Sequence, residues 1–238
     1  MNVESTYLNC LAFFGVGGAH PGGLQLTKNI LSREKIGSTT KILDVGCGTG
    51  QTSAYIAKKY GCHVTALDCH TIMIEKAKKR FRSLQLPVVT CYGSAEHLPF
   101  EDESFDMILS ESVTAFTDVS KSIPEYKRVL KPNGILLAIE MTLENLITEA
   151  ELAQILHFYG VRQLLSEAEW RAHFQKAGFR QVLSENFKLH PDAQNMCHAL
   201  DFSLSKNIDP SYFHTLHQHQ YLSMIYKDRL GCRIYRCQ

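Results

Sequence analysis

The sequence predicts a doubly wound α/β protein, a mostly parallel sheet with helices on both faces. Two observations carry that expectation. Candidate strands alternate with candidate helices from residue 41 onward, the pattern that builds parallel strands joined by crossover helices. The first such strand also runs straight into a glycine-punctuated loop, Gly46-Cys47-Gly48-Thr49-Gly50, and then into a helix. At 238 residues the chain has the length of one α/β domain with additions and buries a full core.

The elements follow in order. The first 40 residues carry Gly15, Gly17, Gly18, Gly22 and Gly23 around His20-Pro21 and read as a lid segment followed by a short helix. Strands are expected at Lys41–Val45, His63–Leu67, Val88–Tyr92, Phe105–Leu109 and Ile135–Ile139. The helices between them fall near Gln51–Tyr60, Ile72–Leu84 and Val119–Leu130. In the second, Ile74, Ala77, Phe81 and Leu84 recur at helical spacing and predict the buried stripe. Pro124 predicts a kink or a place near the first turn of the third, and Lys131-Pro132-Asn133-Gly134 a turn that ends it. Ser166-Glu167-Ala168-Glu169 reads as a capping box, opening a helix that stops at Gly178. Phe179–Ser184 and Leu230–Cys237 complete seven strands. The residues between those two, 187–229, are too many for a hairpin loop and turn helical after Pro210, so they predict an inserted cap.

Composition narrows the function classes. Lys and Arg number 25 against 24 Asp and Glu, so no global field recruits nucleic acid or anionic membrane. No signal peptide and no apolar run of membrane-spanning length is visible, which gives a cytoplasmic expectation with reduced thiols. Eight cysteines are scattered without zinc spacing, and His214, His217 and His219 lack a completing ligand. No metal is expected, and these histidines read as surface residues.

The chemistry lies in a series of motifs. Lys41-Ile42-Leu43-Asp44-Val45-Gly46-Cys47-Gly48-Thr49-Gly50 has the order D-x-G-x-G-x-G, distinct from the dinucleotide fingerprint. Val64-Thr65-Ala66-Leu67-Asp68 ends the second strand on an acid suited to ribose hydroxyls. Gly93-Ser94-Ala95-Glu96-His97-Leu98-Pro99-Phe100 follows the third strand, Phe105-Asp106-Met107-Ile108-Leu109-Ser110-Glu111 carries the fourth and the two residues after it, and Arg128-Val129-Leu130-Lys131-Pro132-Asn133-Gly134 precedes the fifth. Together these resemble the class I methyltransferases of the methyltransferase-11 type, which use S-adenosylmethionine (SAM). The resemblance covers Lys41 to Glu140, the core of one domain spanning 1–238. It departs at Ser94, where relatives carry aspartate, and at Asn133, where they carry glycine.

The resemblance implies a Rossmann-like, seven-stranded sheet whose last strand is antiparallel. It also implies methyl transfer from SAM to a small-molecule acceptor by in-line displacement. SAM would rest its methionine end on Asp44, Gly46, Cys47, Gly48, Gly50 and Gln51, and its ribose on Asp68. Ser94 and Ala95 would edge the adenine, with Cys69 or Met73 on its face. Glu111, at the carboxyl edge of the sheet, is open between catalysis, SAM contact and a structural cap. His20 is the other candidate base, weighed against a structural turn residue beside Pro21. The acceptor pocket is expected under the N-terminal segment and the insertion, where Phe213, Leu216, Gln220 and Met224 share a helix face. Alternatives are a thiol or arsenite methyltransferase, for which Cys69 and Cys197 are the nearest candidates, and a SAM-binding protein without transferase activity. A nicotinamide enzyme is disfavoured by the glycine spacing. The chain is expected as a monomer or homodimer.

Overall fold

The computed structural model describes residues 6–187 and 201–238. Its main sheet has seven strands: β2 (Lys41–Val45), β3 (His63–Asp68), β4 (Val89–Tyr92), β5 (Phe105–Glu111), β6 (Leu130–Leu143), β7 (Val182–Phe187) and β9 (Leu230–Cys237). They lie in the order β4-β3-β2-β5-β6-β9-β7. All neighbours are parallel except β9, which runs antiparallel to both β6 and β7, with Ala138 opposite Tyr235 and Ser184 on its other side. This is the predicted seven-stranded, mostly parallel sheet with an antiparallel last strand.

Period-two alternation sends successive side chains to opposite faces. Leu43, Val45 and Ile108 join a core with Ile123, Tyr126, Trp170, Phe174 and Tyr235, beneath α5 (Val119–Val129), α6 (Glu149–Tyr159) and α7 (Glu167–Lys176). Ile42, Met107 and Leu109 join Leu26, Ile30 and Ile56 on the other face, beneath α2 (Gly23–Leu31) and α3 (Gln51–Tyr60). That parity decides the site: Asp44 follows Ile42, and Glu111 follows Leu109, so both acids face α2 and α3.

Several expectations shift. In α4 (Thr71–Ser83), Ile74, Ala77 and Phe81 are buried, but Leu84 caps the helix and is exposed, because the chain turns at Gln85 with φ 54° and Leu86 takes its place against the core. Lys131-Pro132-Asn133-Gly134 is a bulge inside β6 and not a preceding turn, since Leu130 already pairs with Phe105; Asn133 adopts φ 64° there. Pro124 sits in the second turn of α5, whose N-cap is Asp118. The strand expected from Phe179, β7, begins at Val182. Gly178, at φ 97°, ends α7, and the buried Phe179 folds back under the core with its amide donating to the Phe174 carbonyl. The capping box on Ser166 and Glu169 is formed as expected, and a second one on Thr148 and Glu151 opens α6.

Only part of the first 40 residues covers anything. α2 belongs to the sheet's core, whereas α1 (Thr6–Phe14) lies across α8 (Ser211–Ile225) through Phe13 on Tyr212 and Phe14 on Phe213. A two-stranded ribbon joins the same two regions: β1 (Val16–Gly17) pairs antiparallel with β8 (Asp201–Phe202). The N-terminal segment and the insertion therefore form one cap. The insertion's residues 188–200, with Cys197, lie outside the described residues.

Candidate active site

The glycine loop is shaped by backbone geometry that side chains oppose. Gly46, Gly48 and Gly50 have φ 66°, 53° and 74°, all in the left-handed region. A Cβ on Gly46 would stand 2.3 Å from Val113 Cγ2, and one on Gly50 would stand 2.5 Å from Phe81 Cζ. Gly48 differs: its nearest neighbour would be Met73 Sδ at 4.0 Å, so its backbone lies bare toward the cavity. Such a bare loop ending in a helix N-terminus is suited to a polar ligand. The loop is pinned to β3 by the Cys47 amide, which donates to the Leu67 carbonyl at 2.9 Å.

Three acids surround it. Asp44 is buried and accepts the Ser53 hydroxyl; burial, then the charge of Glu111, push its carboxyl up to about 8. Asp68 accepts the Gly48 amide on one oxygen and the His70 amide on the other, each at 2.8 Å. Burial raises its pKa, against those two amide bonds and a third from the Cys69 amide. A carboxylate has about four acceptor positions, so it keeps capacity for a ligand. Glu111 accepts hydroxyls from Thr27 of α2 and, at 2.7 Å, from Thr52 of α3. His20 joins it, with Nε2 3.5 Å from Glu111 Oε1 and 3.3 Å from Thr27 Oγ1, and Nδ1 3.1 Å from the Pro21 carbonyl.

The structure thus brings His20 and Glu111 together, and it engages both ring nitrogens of His20 in doing so. Glu111 keeps lone pairs beyond those its hydroxyl partners use. The effect is a clasp that ties the N-terminal segment to the end of β5.

Asp44, Gly46, Cys47, Gly48 and Gln51 line one continuous cavity with Asp68, Cys69, Met73, Ser94, Ala95, Glu111 and His20. Gly50 is the exception, turned inward on Phe81 as the N-cap of α3. The Cys47 thiol is buried and held well above its ordinary value by that burial. Ser94 is exposed and accepts the Glu96 amide at 3.1 Å, while Ala95 is buried beside it.

The cavity holds about 2130 Å³ and continues from the loop to the cap. Pockets for one drug-sized molecule hold roughly 300–1,000 Å³, so two ligands have room side by side. Of the four α8 residues expected over the cleft, Leu216, Gln220 and Met224 line it, whereas Phe213 turns away onto Phe14. The path between the halves is short: Val113 packs on Gly46, and Phe116, at the end of the 3-10 turn Thr114–Phe116, stacks on Tyr7 at 6.5 Å.

The cap is hung from α4. Arg80 donates to the Thr49 carbonyl of the glycine loop at 2.8 Å and ion-pairs with Asp201 of β8. One turn earlier, Lys76 donates to the Phe13 and Ser203 carbonyls.

His219 corrects the surface reading of the C-terminal histidines. It lies on the cavity wall, its Nδ1 3.0 Å from the Tyr159 hydroxyl, with Tyr7 5.2 Å away ring to ring. Its partners come from α1 and α6, neither of which appears in the helix pattern read from sequence. Among the described residues no His/Cys/Asp/Glu group is arranged to hold a metal ion, and no helix is long and apolar enough to cross a membrane. Cys69 is exposed at the cavity, and its suggested partner Cys197 lies outside the described residues.

Comparison with known proteins agrees with this geometry. Residues 43–138 match the family model of the methyltransferase domain, methyltransferase-11 type. The uncharacterized methyltransferase YodH of Bacillus subtilis is 41% identical over 227 residues, covering 95% of this chain and 96% of its own. The ubiquinone/menaquinone biosynthesis C-methyltransferase UbiE of Idiomarina loihiensis is 28% identical over 174 residues, or 71% of this chain and 67% of its own. Among solved structures, Haemonchus contortus phosphoethanolamine N-methyltransferase 2, in complex with SAM, superposes with a TM-score of 0.77 at 21% identity. That match covers 97% of this chain, which spans 56% of the other. The chain therefore belongs to the family of SAM-dependent methyltransferases that this domain model describes.

Proposed function

We propose that the protein transfers a methyl group from SAM to a small, partly apolar acceptor enclosed beneath the cap. One observation carries the reading: a single cavity joins the glycine loop to a pocket walled by aromatic residues of the cap. When bound, SAM supplies a methyl group on a sulfonium sulfur, activated toward direct displacement.

The residues present suit that molecule. The open face of Gly48 and the carboxylate of Asp68 on the cavity wall fit the methionine and ribose ends. Glu111, facing the same loop with lone pairs to spare, fits a cationic ammonium group. Ala95 and Met73 supply apolar surface for a flat base, with Ser94 at its edge. The remaining work of the chain is alignment and exclusion of water, which α1, α8 and the β1–β8 ribbon perform by roofing the cleft. Of the relatives named above, one is by name a phosphoethanolamine N-methyltransferase and another a C-methyltransferase of ubiquinone/menaquinone biosynthesis, which supports a cap that chooses the acceptor.

The test is incubation of the full chain with methyl-deuterated SAM and a small-molecule cell extract, read by mass spectrometry. Deuterated methyl on a small product supports the reading. Label found only on protein or nucleic acid overturns it.

A further inference from the structure

We propose that Tyr159 and His219 form the acceptor's proton-removing site, and that it takes a planar ring carrying a weakly acidic hydroxyl group. The inference rests on the SAM reading above and adds the acceptor class and the base.

The other candidate bases of the cavity wall are engaged or exposed. His20 has both ring nitrogens engaged, by the Pro21 carbonyl and by Thr27 with Glu111, and its side chain is 2% exposed. On the cap side of the cavity, Glu96 accepts the Asp118 amide at 2.8 Å and Glu144 is held by Arg233. Asp228 is exposed beyond the end of α8. His219 is different. Its Nδ1 faces the Tyr159 hydroxyl at 3.0 Å, it lies on the cavity wall, and among the described residues nothing hydrogen-bonds its Nε2.

The surroundings favour a flat, uncharged guest. Tyr7 packs edge-on to Tyr159 at 4.9 Å, lies 5.2 Å from the His219 ring and stacks on Phe116, and Leu216 and Met224 line the same cavity. Aromatic walls around one imidazole suit a phenol or enol better than an ammonium ion. Burial lowers the pKa of His219, which keeps it neutral and able to accept a proton, and burial raises that of Tyr159, which keeps its hydroxyl intact.

The step balances. His219 Nε2 takes the hydroxyl proton, and the resulting imidazolium donates its Nδ1–H to the Tyr159 oxygen. The acceptor oxygen forms the new bond to the methyl carbon as the carbon–sulfur bond breaks with its electron pair on sulfur. A cationic donor and an anionic acceptor become a neutral ether and a neutral thioether, and the proton later leaves the imidazolium for water.

The experiment uses 2-naphthol, a fluorescent planar hydroxyl compound whose emission reports loss of its proton to a nearby base. It is titrated into the full chain saturated with S-adenosylhomocysteine (SAH). The wild type should bind it and shift its emission to that of the anion. His219→Asn should weaken binding about tenfold, the scale of one hydrogen bond, and leave the bound emission neutral. Tyr159→Phe keeps the ring packing, so it should bind 2-naphthol with a reduced anion fraction. SAH affinity, measured by calorimetry, should be the same in all three proteins and serves as the folding control. No binding of 2-naphthol to the wild type, or unchanged anion emission in His219→Asn, overturns the proposal. Failure of the wild type to bind SAH overturns the SAM reading instead, so the two failures are distinct.

Discussion

Asp68→Ala is the most direct perturbation of the proposed donor site. The carboxylate accepts the Gly48 and His70 amides at 2.8 Å and lines the cavity. If it accepts both ribose hydroxyls, removal of the side chain deletes two hydrogen bonds to a charged group, each worth about 1.5–3 kcal/mol. Water enters the open cavity in their place and recovers part of that, so the expected net loss is about 1.5–3 kcal/mol. At 1.4 kcal/mol per tenfold, that is roughly a 10- to 150-fold weaker Kd for SAH. Asp68→Asn, which retains one carbonyl oxygen, should fall between. The Gly48 and His70 amides are left to water and not to apolar contact, so stability should drop by only about 1 kcal/mol. Calorimetric titration with SAH, beside urea unfolding of the same proteins, separates the two effects. Unchanged SAH affinity in a folded Asp68→Ala protein would refute the reasoning and remove Asp68 from the site.

Three further outcomes are expected. Gly46→Ala places a Cβ 2.3 Å from Val113 Cγ2 at φ 66°, and should destabilise by about 1–3 kcal/mol in urea unfolding; adding Val113→Ala should recover the steric part but not the backbone part. Ser94→Asp restores the acid that relatives carry beside the adenine, so SAH affinity should hold or improve, and complete loss of binding in a folded variant would mean the loop is used differently. Asp44 has its carboxyl raised from 3.8 to about 8 by burial and by Glu111. The folded state then holds a proton that the unfolded state has released, so stability from this group declines as pH rises through that window. The fall in Tm between pH 4 and 8 should be shallower in Asp44→Asn than in the wild type; identical slopes would show that Asp44 is not the group responsible.

The sheet was legible because its cause is local. Alternating strand and helix patterns, the glycines of the loop and the acid at Asp68 each act through the backbone or through near neighbours in sequence. Asn133, which stands where relatives carry glycine, takes the left-handed geometry at φ 64°, a conformation Asn accepts better than most residues. Boundaries failed where a distant partner set them: Val182 begins β7 because Cys237 lies opposite, and Leu84 leaves the buried stripe because Leu86 reaches the core first. The α6 helix carried a readable signal, the capping box of Thr148 and Glu151.

By itself, the sequence determined the doubly wound core, the loop with its donor-side acids, and the existence of additions before residue 41 and after Phe187. Only the tertiary structure decided what those additions do. β1 pairs with β8, separated along the chain by almost the whole domain, and Tyr7, Tyr159 and His219 meet from three separate helices. No periodicity or motif spacing encodes such a meeting, because each of the three residues is compatible locally with an ordinary helix surface. The contact exists only after the sheet has closed and brought the helices' ends over the same strand edge. For the same reason His20 and Glu111 read as candidates one by one, while their engagement with Thr27 and Thr52 followed from strand parity and from which helices cover that face.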